Sequence, residues 1–142
     1  MINQDQVTST LRLNKVFFEK INLQSKGTLV KGKEEANISF CLHDPVINES
    51  SLIVALTCII NIGKDTKIEI KIVGDFTMQD NTDPTLFIPN AIAIIFPYLR
   101  AEVSLITAQP NFRTIVLPAI NINMLLQEDA KQKSESKQED NE

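Results

Sequence analysis

The chain has no tryptophan, one tyrosine, one histidine, two cysteines and only four glycines among its 142 residues. Each scarcity removes a class of chemistry. His43, Cys41 and Cys58 are the whole supply of histidine and cysteine, too few for a disulfide framework or a four-ligand zinc site. Both cysteines read as small apolar side chains in strands. No Gly-x-Ser-x-Gly elbow and no complete Gly-x-x-x-x-Gly-Lys-Ser/Thr loop is present, so hydrolase and nucleotide chemistry have little to build on. The expectation is a protein that is not an enzyme and carries no metal or cofactor; Asp80 and Asp83 read as solvated loop acids rather than a cation site. Basic charge is also short, fourteen Lys plus Arg against eighteen Asp plus Glu, a net charge of -4. That excludes the broad positive field of a general nucleic-acid binder. The longest apolar-dominated stretch, 52–62, is broken by Thr57 and Asn61 and falls well short of the ~20 residues that cross a bilayer. Residues 1–10 lack the basic and apolar regions of a secretory signal, so no membrane insertion and a cytoplasmic location are expected.

What remains is an ordinary globular balance, 43% hydrophobic and 23% charged. A chain of this length makes one domain that buries roughly 68% of its unfolded surface. The acids are unevenly placed. From Gln127 onward six acids stand against three lysines, which supplies -3 of the -4 and leaves the body nearly neutral. The expected organisation is an N-terminal arm over 1–9, a folded domain over 10–128 and a polar tail over 129–142, disordered beyond about Lys133.

Within the domain the first half alternates. Leu11, Leu13, Phe17, Ile21 and Leu23 occupy odd positions, while Val16 and Phe18 intrude on the other face, which reads as a long strand with a bulge. After a polar, glycine-marked stretch over 25–33, Ala36, Ile38, Phe40 and Leu42 form a second strand, stopped by Asp44-Pro45. Residues 52–62 form a third, apolar on both faces. Gly63-Lys64-Asp65 turns it into a fourth, with Ile68, Ile70 and Ile72 alternating with Lys67, Glu69 and Lys71, so one face meets water.

A polar link over 79–84 precedes a helical period over 89–108. Ile88, Ile92, Ile95, Leu99, Val103 and Ile106 make one stripe, and Ile94, Tyr98, Ala101 and Leu105 make a second beside it. A helix covering one sheet needs one apolar face, so two stripes point to an oligomer. Pro97 is expected to kink this helix. Residues 111–120 form an apolar loop bracketed by Pro110 and Pro118, extended in path. Asn121 then caps a short helix begun by Ile122, Leu125 and Leu126.

The run Ile95-Phe96-Pro97-Tyr98-Leu99-Arg100-Ala101-Glu102, followed by Leu117-Pro118-Ala119-Ile120-Asn121-Ile122, resembles the paired signature of the SecB protein-export chaperones. The opening strand Leu11-Arg12-Leu13-Asn14-Lys15-Val16-Phe17 and Val73-Gly74-Asp75-Phe76 resemble family strands, over residues 10–128. The resemblance implies an α+β fold: a SecB-like, Greek-key-like four-stranded antiparallel sheet with one long helix and a short C-terminal helix. It implies a homotetramer, a dimer of dimers, that holds unfolded polypeptide clients without ATP and passes exported ones to the SecA motor. Carried over by position, the client-binding groove is Ile38, Phe40 and Leu42, roofed by Leu117, Ile120, Ile122 and Leu125. The helix stripe of Ile92, Ile95, Tyr98, Leu99, Val103 and Ile106 becomes the oligomer interface. Tyr98 and Arg100 read as structural.

The resemblance departs from the family at the surface that docks SecA, an acidic patch. Here the matched positions are Lys20, Gln24, Lys67 and Glu69, two lysines against one acid, which weakens or reverses steering toward a basic motor. The segment between the fourth strand and the Pro-Tyr motif is also shortened. A SecB-like chaperone dedicated to the antitoxin of a toxin–antitoxin pair is therefore the alternative to general export, and a structural oligomer without clients is a third reading.

Overall fold

The computed structural model describes residues 11–26, 34–79, 83–110 and 112–139. The expected arm over 1–9, most of the glycine-marked stretch, Asp80 and the last three residues of the tail lie outside them. The fold is α+β. Five strands, β1 (Leu11–Ser25), β2 (Ala36–Leu42), β3 (Val46–Asn48), β4 (Ser51–Ile62) and β5 (Thr66–Met78), form one antiparallel sheet. Their order is β1-β5-β4-β2, with β3 also on β4. A single-turn 3-10 segment, Pro84–Phe87, leads into α1 (Ile88–Thr107), and α2 (Ile122–Glu139) ends the chain.

The β4–β5 hairpin turns where the sequence places it, with Gly63 in the left-handed region at φ 57°. Strand β3 is an addition to the four expected. Pro45 lacks the N–H that would continue the ladder, yet His43 N still donates to Ala55 O (3.0 Å) and β3 resumes the same edge with Val46 opposite Ile53. Strands β2 and β3 are thus one interrupted edge strand.

Strand β1 corrects the odd-position reading. Its register with β5 slips between Leu13 and Lys15 and again between Phe18 and Lys20. Each bulge inserts a residue and exchanges the two faces. Leu13, Val16, Phe18 and Leu23 therefore pack on the core, while Phe17 is 43% exposed on the opposite face, with the Lys15 ammonium 5.7 Å from its ring centre.

The core lies between one sheet face and α1. Leu52, Val54, Leu56, Ile60 and Ile62 of β4 and Ile68, Ile70, Ile72 and Phe76 of β5 are almost wholly buried there. The opposite face of β4, apolar as well, is only half-buried at Ile53, Ala55 and Ile59, because α1 lies on the other side. Helix α1 approaches closely at Gly74. A Cβ at that position would sit 2.6 Å from Ile95 Cγ2 and 2.7 Å from Phe76 Cε2, so the side-chain-free residue sets the helix–sheet distance. The helix runs through Pro97 without a break; Ala93, which has no bond from Pro97, is exposed to water. The segment Pro84–Thr107 is long and apolar enough to cross a membrane, but Ile92, Ile95, Leu99 and Val103 are fully buried against the sheet, as in a core helix.

The apolar loop is held to the end of α1. Buried Thr107 Oγ1 donates to Val103 O (2.7 Å) and accepts from Ile115 N (2.9 Å), while Ser104 Oγ donates to Ile115 O (2.9 Å). With Ile115 fixed at both its backbone groups, the extended path buries Ile115 and Leu117 and leaves Val116 outside. Asn121 caps α2 as expected, its Oδ1 accepting from Met124 N (3.2 Å). The helix continues past Lys133 to Glu139, where disorder was expected. Asp129 and Lys133, one turn apart, pair at 2.8 Å along it.

Candidate functional site beneath the C-terminal helix

The residues expected to line a groove separate into two groups. Phe40 and Leu42 of β2 meet Leu125 of α2 across a cleft completed by Cys41, Glu128, Asp129 and Gln132. Ile38, Ile120 and Ile122 are half-buried against the core nearby, outside the cleft lining. Leu117 is fully buried, a core residue of the single chain rather than an open contact. The cleft is small, with a free volume of about 20 Å³. Its floor is anchored: Phe40 meets Phe96 of α1 edge-on, ring centres 6.0 Å apart.

The outer end of α2 is tied down by charge. Lys133 bridges Asp129 on its own helix and Asp44 at the β2–β3 corner. The hydrogen bond from Lys133 holds the Asp44 carboxyl below its usual range, and the two carboxylates hold Lys133 above its own, Asp129 contributing most. Sequence reading missed this contact. The Asp129/Lys133 spacing was visible, but the partner at Asp44 is distant in sequence.

The positions matched to a SecA-docking surface do come together on the sheet face opposite α1. Asn22, Gln24, Lys67 and Glu69 surround a hollow of about 100 Å³. Lys20 Nζ lies 3.0 Å from Glu69 Oε2, and that hydrogen bond lowers the carboxyl's pKa. Glu19 and Lys71 pair beside it at 2.9 Å. The one acid at the matched positions is thus already neutralised by a neighbour.

The expected interface stripe also divides. Ile92, Ile95, Leu99 and Val103 are buried by their own sheet and Ile106 is half-buried, leaving Tyr98 as the outward member at 47% exposure. Of the second stripe, Tyr98, Ala101 and Leu105 face out, Leu105 67% exposed, while Ile94 packs partly against the core. Arg100 is also exposed.

Elsewhere, His43 Nε2 is 2.7 Å from Thr57 Oγ1, and no group of three metal-ligating side chains occurs among the described residues. Asp83 caps the 3-10 turn, accepting from Thr85 N and Oγ1. Gly27, Gly32 and Lys33 have the spacing of a phosphate-binding loop, but Glu34 stands where its magnesium-binding Ser or Thr belongs; residues 27–33 lie outside the described ones. A hollow of about 590 Å³ at the end of the β4–β5 hairpin is lined by Lys26, Lys64 and Lys67 together with Asp65.

The architecture overlays on the SecB-like chaperone Rv1957 of Mycobacterium tuberculosis, solved in complex with a peptide from the HigA1 antitoxin. The TM-score is 0.65 at 12% identity, over 78% of this chain and 91% of that one. The fold is SecB-like. A protein of unknown function from Streptococcus agalactiae overlays less well, with a TM-score of 0.49 at 14% identity over 77% of this chain and 97% of that one, and has no bearing on function. No family model matches the sequence. A curated relative, an uncharacterized protein of Methanocaldococcus jannaschii, is 42% identical over 52 residues, 35% of this chain; the match spans about a third, 34%, of that protein.

Proposed function

We propose that this SecB-like chain is an ATP-independent holdase for unfolded or newly made polypeptides. The carrying observation is the cleft between β2 and α2, where the apolar side chains of Phe40, Leu42 and Leu125 meet beside Glu128, Asp129 and Gln132, on a fold shared with a chaperone solved with an antitoxin peptide. A holdase binds many sequences through non-directional apolar burial. Each buried side chain of this size contributes about 1.5–3 kcal/mol, against about 4–15 kcal/mol for association. One subunit is therefore weak, and a tetramer holding one flexible client at several points gains by effective concentration. The outward stripe of Tyr98, Ala101 and Leu105 would supply the contact between copies.

A narrow clientele, such as an antitoxin, is favoured over export through SecA. The Lys20–Glu69 and Lys71–Glu19 pairs remove the negative potential that would steer a basic motor surface. The test is suppression of aggregation when a urea-denatured protein is diluted into the purified chain, followed by titration with SecA. Delayed aggregation without SecA binding is expected. Unchanged aggregation would leave a structural oligomer as the better reading.

A further inference from the structure

We infer that β2 binds a client segment by taking it up as an added strand, so that backbone pairing as well as apolar burial holds it. The inference rests on the holdase reading and specifies how the site would recognise a chain.

Edge strands in soluble proteins are normally guarded by charges, prolines or bulges, because their unpaired backbone groups would otherwise template another strand. Edge β1 is guarded in this way, with two bulges and Lys15 and Lys20 along it. Strand β2 is not. Its seven residues, Ala-Asn-Ile-Ser-Phe-Cys-Leu, include no charge, proline or glycine, and its register with β4 runs without a slip. Among the described residues, only β4 pairs with its backbone.

The direction of its free groups follows from one bond. His43 N donates to Ala55 O, and His43 opposite Ala55 continues the register that sets Cys41 opposite Thr57. In an antiparallel ladder, alternate residues turn both N–H and C=O to the same partner. Asn37, Ser39 and Cys41 therefore point theirs at β4, and Ile38, Phe40 and Leu42 point theirs outward. These are the residues whose side chains lie on the α2 side of the sheet, opposite Ile60, Cys58 and Leu56. A strand laid along this edge would put every second side chain beside them, continuing the apolar surface toward Leu125.

Charge complementarity limits the occupant. Glu34 and Glu35 precede β2, Asp44 follows it, and Glu128 and Asp129 overhang it from α2, five acids against Lys133 and Lys137 of α2, and Lys133 is held by two of these acids. The fitting partner is an extended segment of about seven residues, matching the length of β2, apolar at alternate positions, free of acids and flanked by lysine or arginine.

The probe is a fluorescein-labelled peptide of alternating valine and threonine with two lysines at each end, titrated into the full chain by anisotropy. Two relatives carry N-methyl groups on every valine or on every threonine. In a paired strand only one set of N–H groups faces β2, so one relative is expected to lose at least about tenfold in affinity and the other no more than about threefold. Loss at valine would mean an antiparallel client and loss at threonine a parallel one. In the protein, Ile38→Pro removes an outward N–H and no bond to β4; it should lose at least about tenfold where Ile38→Ala loses about threefold. Equal affinities for the two methylated peptides, equal behaviour of the two variants, or no binding of the parent peptide by a chain that still delays aggregation overturns strand addition and leaves holding intact. A chain that does not delay aggregation overturns the holdase reading, and strand addition with it.

Discussion

Phe40 of β2 and Phe96 of α1 meet edge to face, 6.0 Å between ring centres at 65°. Phe96 is buried in the core and Phe40 is half-buried at the cleft, so this contact helps join the stable part of the molecule to the candidate binding surface.

Substitution at Phe40 should separate the two roles. Phe40→Leu keeps an apolar surface but removes the ring pair, worth about 0.5–1.5 kcal/mol beyond burial; urea denaturation should show a lower midpoint while aggregation suppression persists. Phe40→Asp and Leu125→Asp should both abolish suppression without changing the assembly seen by light scattering. If either acid variant suppresses aggregation fully, the cleft is not the site.

Gly74→Ala should destabilise the fold by about 1–3 kcal/mol through overpacking, since its Cβ would collide with Ile95 and Phe76. The double variant with Ile95→Ala should be less destabilised than the two single effects combined, because the clash partner is gone. Strict additivity in denaturant melts would contradict close helix–sheet contact at this point.

Lys133→Ala should free the outer end of α2. Hydrogen exchange in α2 should accelerate and client capture should become faster, with the sheet unaffected. The pH dependence has a definite sign. The Asp44 carboxyl is lowered by Lys133, so its contribution is complete above the ordinary value of 3.8 and disappears as pH falls through the lowered one. Lys133 is raised, so its contribution is complete below 10.5 and is lost as pH rises through the raised value. Exchange in α2 should therefore be insensitive to this pair across neutral pH and increase with salt, which screens exposed charges.

The two thiols should react differently. Cys41 is exposed and Cys58 is buried, its pKa pushed up to about 12 by desolvation. A thiolate-selective reagent at neutral pH should label one cysteine in the native chain and the second only on unfolding. Equal rates for both would place Cys58 outside the core.

Leu105→Asp tests the outward helix stripe. Leu105 is 67% exposed and packs little in the single chain, so a charge there should dissociate the proposed assembly with little loss of fold. Light scattering and circular dichroism together would decide it.

The sequence by itself determined the elements whose signal is local. Alternation along β5, the Gly63 turn, the Asn121 cap and the stop at Pro45 depend on neighbours a few residues away, and each reappears in the structure. It also determined that α1 carries two apolar stripes. Which stripe is core was decided by the close approach at Gly74, which turns Ile95 inward and leaves Tyr98 and Leu105 outside. The face of Phe17 depended on two bulges set by pairing with β5. The cleft needed both the fold of α2 back over β2 and the Lys133–Asp44 contact that holds it. Such features belong to residues far apart in the chain, where burial and charge act through space and periodicity carries no record of the partner.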